Sequence, residues 1–213
     1  MCVVSFKERV KNEAVSNAGL YEKNYIQYEY LVCSEAFETG YHVIKCDKGN
    51  YLHLIGIHTE LSAEAFFEKC ISGELLEEDF DFKKTGKSEK SVKGSVREKI
   101  AVLPSMMELF TQKLTAENNF KKNKVECAFA TTDNVCTLGF AMSGRPKSLL
   151  KGNELDKSKS KGVALVFRKQ RSSGKLYEEL VWGDKEDIEK YQEKIQNLIS
   201  PAFFEKTEDE KNQ

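Results

Sequence analysis

The chain of 213 residues carries 33 Lys and Arg against 34 Asp and Glu, a formal net charge of −1, with 40% hydrophobic residues, 13 Gly and 3 Pro. That mixture excludes collagen-like, low-complexity and wholly disordered chains. No apolar run approaches the ~18 residues of a membrane span, and the start MCVVSFKERVKNEAV lacks a secretory pattern, so a cytoplasmic protein without membrane contact is expected.

Residues 2–18 read as a helix with Val3, Phe6, Val10 and Val15 on one side. Strand-like runs follow at 28–33 (YEYLVC) and 41–46 (YHVIKC), with Glu38-Thr39-Gly40 as the turn signal between them. A second turn, Asp47-Lys48-Gly49-Asn50, leads into YLHLIGIH (51–58). Thr59 or Ser62 then caps a helix of about 62–72 that buries Phe66, Phe67 and Cys70 and ends at Gly73. The polar segment 83–94 reads as a mobile loop. Residues 95–115 read as a long helix, because Val96, Ile100, Leu103, Met107 and Phe110 recur at helical steps, and Pro104 predicts a kink or break in it.

From residue 124 the period changes. Strands are predicted at 125–131, 135–142, 162–170 and 175–182, with short turns at 132–134 and 172–174. A final helix spans about 184–199, with Ile188, Tyr191, Ile195 and Leu198 on one stripe, and 201–213 read as a disordered acidic tail. Helices first and an antiparallel sheet afterwards make an α+β fold. Both the 62–72 and the 95–115 helices are expected to lie against that sheet.

The near-neutral total hides an asymmetry. Residues 83–99 carry a net +5 and 145–175 a net +8, whereas 60–82 carry −7 and 176–213 carry −6. The two basic segments form either one polyanion-facing surface or simply solvated loops.

Common signatures are absent. GKS at 86–88 fails as a phosphate loop, because the first glycine would stand at 81, which is Asp81. The acids Glu77, Glu78, Asp79 and Asp81 read as a carboxylate-rich helix end rather than a magnesium site. Six Cys and three His show no zinc spacing, and Cys33, Cys46, Cys127 and Cys136 read as small buried hydrophobes. His42 lies in a predicted strand and reads as structural. His53 and His58 stand five apart around Gly56, at a junction where side chains can reach a cleft, but spacing alone does not assign them.

The run NYLHLIGIHTELSAEAFFEKCISGELLEEDF (50–80) resembles the phage-associated Barnase–EndoU–colicin–RelE-like nucleases, specifically their fourth subfamily. The resemblance rests on Tyr51, on His53-Leu54-Ile55-Gly56-Ile57, on Phe66-Phe67 and on Gly73. Ile55 stands where that pattern often has Thr. The likeness extends over about 20–182, within one nuclease-like domain of 1–200.

The resemblance implies an endoribonuclease of a bacterial mobile element that uses neither cofactor nor metal. In such an enzyme the ribose 2′-OH attacks its own phosphate, which requires a base, an acid and cations for the phosphorane. His53 is the expected base or acid, with Ser148, Lys151 and Arg168 completing the catalytic set. Arg145, Lys147, His58 and Tyr177 are the expected substrate contacts. His53 and the 145–175 segment should therefore line one cleft. RNA is the expected partner, with an antitoxin or host protein as a further one. A non-catalytic nuclease-like module that binds RNA or a host protein is the alternative, and action on DNA ranks last.

Overall fold

The computed structural model describes residues 4–172 and 174–204; Cys2, Val3 and the TEDEKNQ tail lie outside them. Ser5 opens helix α1 (Phe6–Tyr21) by accepting the Glu8 N–H at 2.9 Å. The helix outruns its predicted end and continues as a π-helical turn over Glu22–Ile26. Tyr21 and Tyr25 hold this extension, since their rings stack at 5.3 Å in the core and the Tyr25 hydroxyl donates to the Met106 carbonyl. Strands β1 (Tyr28–Ser34) and β2 (Tyr41–Lys45) then form the predicted hairpin.

Three helices follow: α2 (Asn50–Ile55), α3 (Ala63–Ser72) and α4 (Glu89–Met106). Ser62 caps α3 through the Ala65 N–H, and Gly73 ends it at φ 76°. Helix α4 corrects two expectations. Ser88 accepts from the Ser91 N–H, so the helix begins at Glu89 and absorbs half of the segment expected to be a loop. Pro104 falls in its last turn, and the helix stops two residues later instead of reaching 115.

The rest is largely strand: β3 (Thr115–Asn118), β4 (Lys121–Lys122), β5 (Val125–Glu126), β6 (Phe129–Thr132), β7 (Cys136–Phe140), β8 (Pro146–Lys151), β9 (Lys161–Gln170) and β10 (Glu179–Trp182), then helix α5 (Ile188–Ile195). The main sheet runs β2-β1-β9-β3-β6-β7-β8, antiparallel at every pairing, with β10 also on β9. One flank of β9 pairs with β1. Its other flank is shared, Gly162 facing Thr115 of β3 and Arg168 facing Glu179 of β10. The sheet curls until its two ends meet. Gly144, in the β7–β8 turn, accepts the Lys45 N–H at 3.1 Å from beside β2. Only glycine fits there, because its φ is 80° and a Cβ would stand 2.1 Å from the Val43 carbonyl oxygen.

Alternation along β1 builds two cores. Tyr30 and Val32 face the larger one with Phe67, Val96, Leu103, Phe129 and Phe140, whereas Leu31 and Cys33 face α5 through Leu165, Phe167, Ile188 and Ile195. Helix α4 lies on β7 and β8 as expected, and α2 lies beside it on β8, the terminal strand of the sheet. Helix α3 packs chiefly on α1 and α2 rather than on the sheet.

Candidate active site

Each residue of the 51–57 run has a physical task. The Tyr51 hydroxyl donates to the Ala14 carbonyl at 2.7 Å, and its ring meets Tyr21 at 4.9 Å and Phe67 at 5.3 Å. That cluster fixes α2 against α1 and α3. Leu54 and Ile55 are buried, which leaves Leu52 and His53 facing outward on the other side of the helix. Gly56 ends the helix at φ 84°, its N–H bonded to the Leu52 carbonyl at 2.9 Å.

The outward face of α2 borders a pocket of about 260 Å³. Leu52, His53, Gly56 and Ile57 form one wall, Val92, Ser95 and Lys99 of α4 a second, and Lys84 and Lys87 a third. Val125 of the β4–β5 hairpin and Lys147, Ser148 and Leu150 of β8 close it. In a regular strand Lys147 and Ser148 would point to opposite faces. Here Ser148 pairs with Gly139 and Pro146 with Phe140, so Lys147 is the extra residue of a bulge, and both side chains line the pocket. The Lys147 ammonium donates to the Glu126 carbonyl at 2.6 Å.

Lys99 is tied to the end of α2. Its Nζ donates to the His53 carbonyl at 2.7 Å. A Cβ on Gly56 would stand 2.9 Å from that Nζ, so the glycine both turns the chain and leaves room for the lysine. Burial, helped by the charges of Lys84 and Lys87, pushes the Lys99 ammonium down to about 8. The lining holds one His and four Lys, and no carboxylate is among its described residues. Such a lining is complementary to an anionic group.

The other predicted site residues sit elsewhere. His58 pairs with Asp81 at 3.1 Å beyond the end of α2. Arg145 lies 3.4 Å from Asp47, near the closure of the sheet. Lys151 is exposed at the end of β8 and is not among the lining residues. Arg168 is tied to Glu179, and Tyr177 is buried with its hydroxyl donating to Glu29 at 2.7 Å. The geometry thus brings His53, Lys147 and Ser148 together and leaves Arg145, Lys151, Arg168, His58 and Tyr177 outside the pocket. Reasoning from sequence placed Lys84, Lys87 and Lys99 in the basic 83–99 segment but gave none of them a role in the site. Their signal in the sequence is the net +5 of residues 83–99, which marks the segment without singling out any one lysine.

His42 stacks on Phe129 at 4.0 Å between ring centroids, and burial lowers its pKa. Cys33, Cys46, Cys70, Cys127 and Cys136 are free and buried. Lys69 pairs with Asp79 at 2.8 Å, and among the described residues no three His, Cys, Asp or Glu are grouped to hold a metal ion.

The α+β architecture with its curled antiparallel sheet is consistent with a nuclease fold. The chain belongs to the phage-Barnase-EndoU-ColicinE5/D-RelE like nuclease4 family, whose model matches residues 15–213. No curated protein and no solved structure matches it. Among the described residues no helix is long and apolar enough to cross a membrane.

Proposed function

We propose that the protein is an endoribonuclease that cleaves by attack of the ribose 2′-OH on the adjacent phosphate, with no metal taking part. The observation that carries this reading is the shared pocket of His53, Ser148 and four lysines, lined by no carboxylate. His53 takes the proton of the attacking hydroxyl, and Lys84, Lys87 and Lys147 hold the phosphate and its developing charge. Ser148 contributes a hydroxyl to the same phosphate. The family's description supports a nucleic-acid substrate, and in this reading the protein serves a bacterial mobile element and acts in the cytoplasm.

The test is cleavage of bulk RNA in EDTA by the native protein and by His53→Ala, with melting temperatures of both. Native protein should leave cyclic-phosphate ends, and the variant should be slower by ~10²–10⁴-fold at an unchanged melting temperature. A native protein that retains RNA without cutting it is instead a binding module. DNA cut as readily as RNA removes the 2′-hydroxyl from the mechanism.

A further inference from the structure

A base and a set of cations do not complete the reaction. As the bond between the 2′-oxygen and phosphorus forms and the bond to the 5′-oxygen breaks, that leaving oxygen must acquire a proton. His53 is occupied in taking the proton of the 2′-hydroxyl. Lys84 and Lys87 line the pocket from a loop and Lys147 is bonded to the Glu126 carbonyl, whereas Lys99 is fixed by the His53 backbone itself.

We propose that Lys99 is the general acid of the cleavage, its ammonium handing a proton to the departing 5′-oxygen beside His53. This rests on the reading of the pocket as a ribonuclease site. One N–H of the Lys99 ammonium is spent on the His53 carbonyl, and two remain for a ligand. Among the described residues no carboxylate pairs with it. The gap at Gly56 sets the depth of the ammonium, so base and acid share one helix end as their common mount.

The titratable groups lining the pocket with Lys99 are His53 from α2, Lys84 and Lys87 from the preceding loop, and Lys147 from β8. Helix α1 and strand β7 contribute no residue to the pocket. The burial and the charges of Lys84 and Lys87 act in one direction and ease release of the proton. An ammonium titrating at about 8 is mostly charged at neutral pH, yet is a far better acid than an ordinary lysine. The balance closes. His53 gains the proton lost by the 2′-hydroxyl, Lys99 gives one to the 5′-oxygen, and the products are a cyclic phosphate and a 5′-hydroxyl. Solvent then resets both groups.

The test compares a dinucleotide carrying an ordinary 5′-oxygen with one carrying a bridging 5′-sulfur, whose thiolate leaves without protonation. Lys99→Arg should cut the oxygen substrate ~10²–10⁴-fold more slowly than native protein and recover to within about tenfold on the sulfur substrate. His53→Gln should be slow on both. On the oxygen substrate, native kcat/KM should fall above about pH 8, and that limb should vanish with the sulfur substrate. Lys99→Met, which keeps the aliphatic stem, serves if arginine unfolds the protein. Native activity with Lys99 variants equally slow on both substrates, or as fast as native, overturns the role of Lys99 alone. Native protein inert on both substrates overturns the ribonuclease reading and this role together.

Discussion

Arg168 and Glu179 stand directly opposite on β9 and β10, joined by two hydrogen bonds of 2.7 Å, and the guanidinium lies 4.4 Å from the centre of the Tyr28 ring. A cation so fully engaged holds strands together instead of awaiting a phosphate. Arg168→Ala should lower the unfolding free energy by about 1 kcal/mol, read by urea titration, and leave RNA cleavage unchanged. A selective loss of cleavage would return Arg168 to the site.

Gly56→Ala should destabilise the protein and abolish most cleavage, because the new methyl meets both a left-handed backbone and the Lys99 side chain. Gly73→Ala is the control, since Gly73 has a similar φ of 76° but nothing within 4 Å of a Cβ. The control should lose roughly 1–2 kcal/mol for the backbone alone and stay active. Equal effects of the two substitutions on cleavage would show that the approach of Lys99 to Gly56 is immaterial.

Lys84, Lys87 and Lys147 should each contribute one phosphate contact. Substituting any one by Gln should weaken RNA binding across sequences and reduce the slope of log affinity against log salt by about 0.7. Lys151→Gln should not alter that slope. Filter binding over a salt series reads both, and an unchanged slope for all three pocket lysines rules out phosphate contact there.

Glu29 makes folding sensitive to acid. Burial raises its carboxyl, but hydrogen bonds from Tyr177 and Lys45 and the charge of Lys169 outweigh that, and the pKa lies below the ordinary value. A carboxyl depressed in the folded state stabilises it fully above the unfolded value of ~4.3 and loses that contribution as pH falls through the folded value. The stability difference between native protein and Glu29→Gln should therefore shrink as pH is lowered below about 4. Chemical denaturation at pH 7 and in acid tests this, and a constant difference contradicts it.

Much of this architecture could be read from the chain. Ser62, Gly73 and the stripe through Val96, Ile100 and Leu103 announced α3 and α4, because caps and helical spacing are local signals. Strand β8 was not legible, since PKSLLK opens with proline and carries its lysines at both ends. The pocket was half legible. His53 stands out within its motif, but Lys99 becomes notable only when α4 lies beside α2, a tertiary fact. The bulge at Lys147 is likewise invisible until β7 supplies the register.

The position of β9 has a consequence for how this protein comes into being. Its strand lies between β1, near the start of the chain, and β3, yet spans Lys161–Gln170. During synthesis from the amino end, β1 and β3 therefore wait without their shared partner until Lys161–Gln170 has been made. Contacts so distant along the chain form late and slowly. A ribosome that stops before β9 releases a sheet in two unjoined parts, so such a product lacks the scaffold on which the pocket depends.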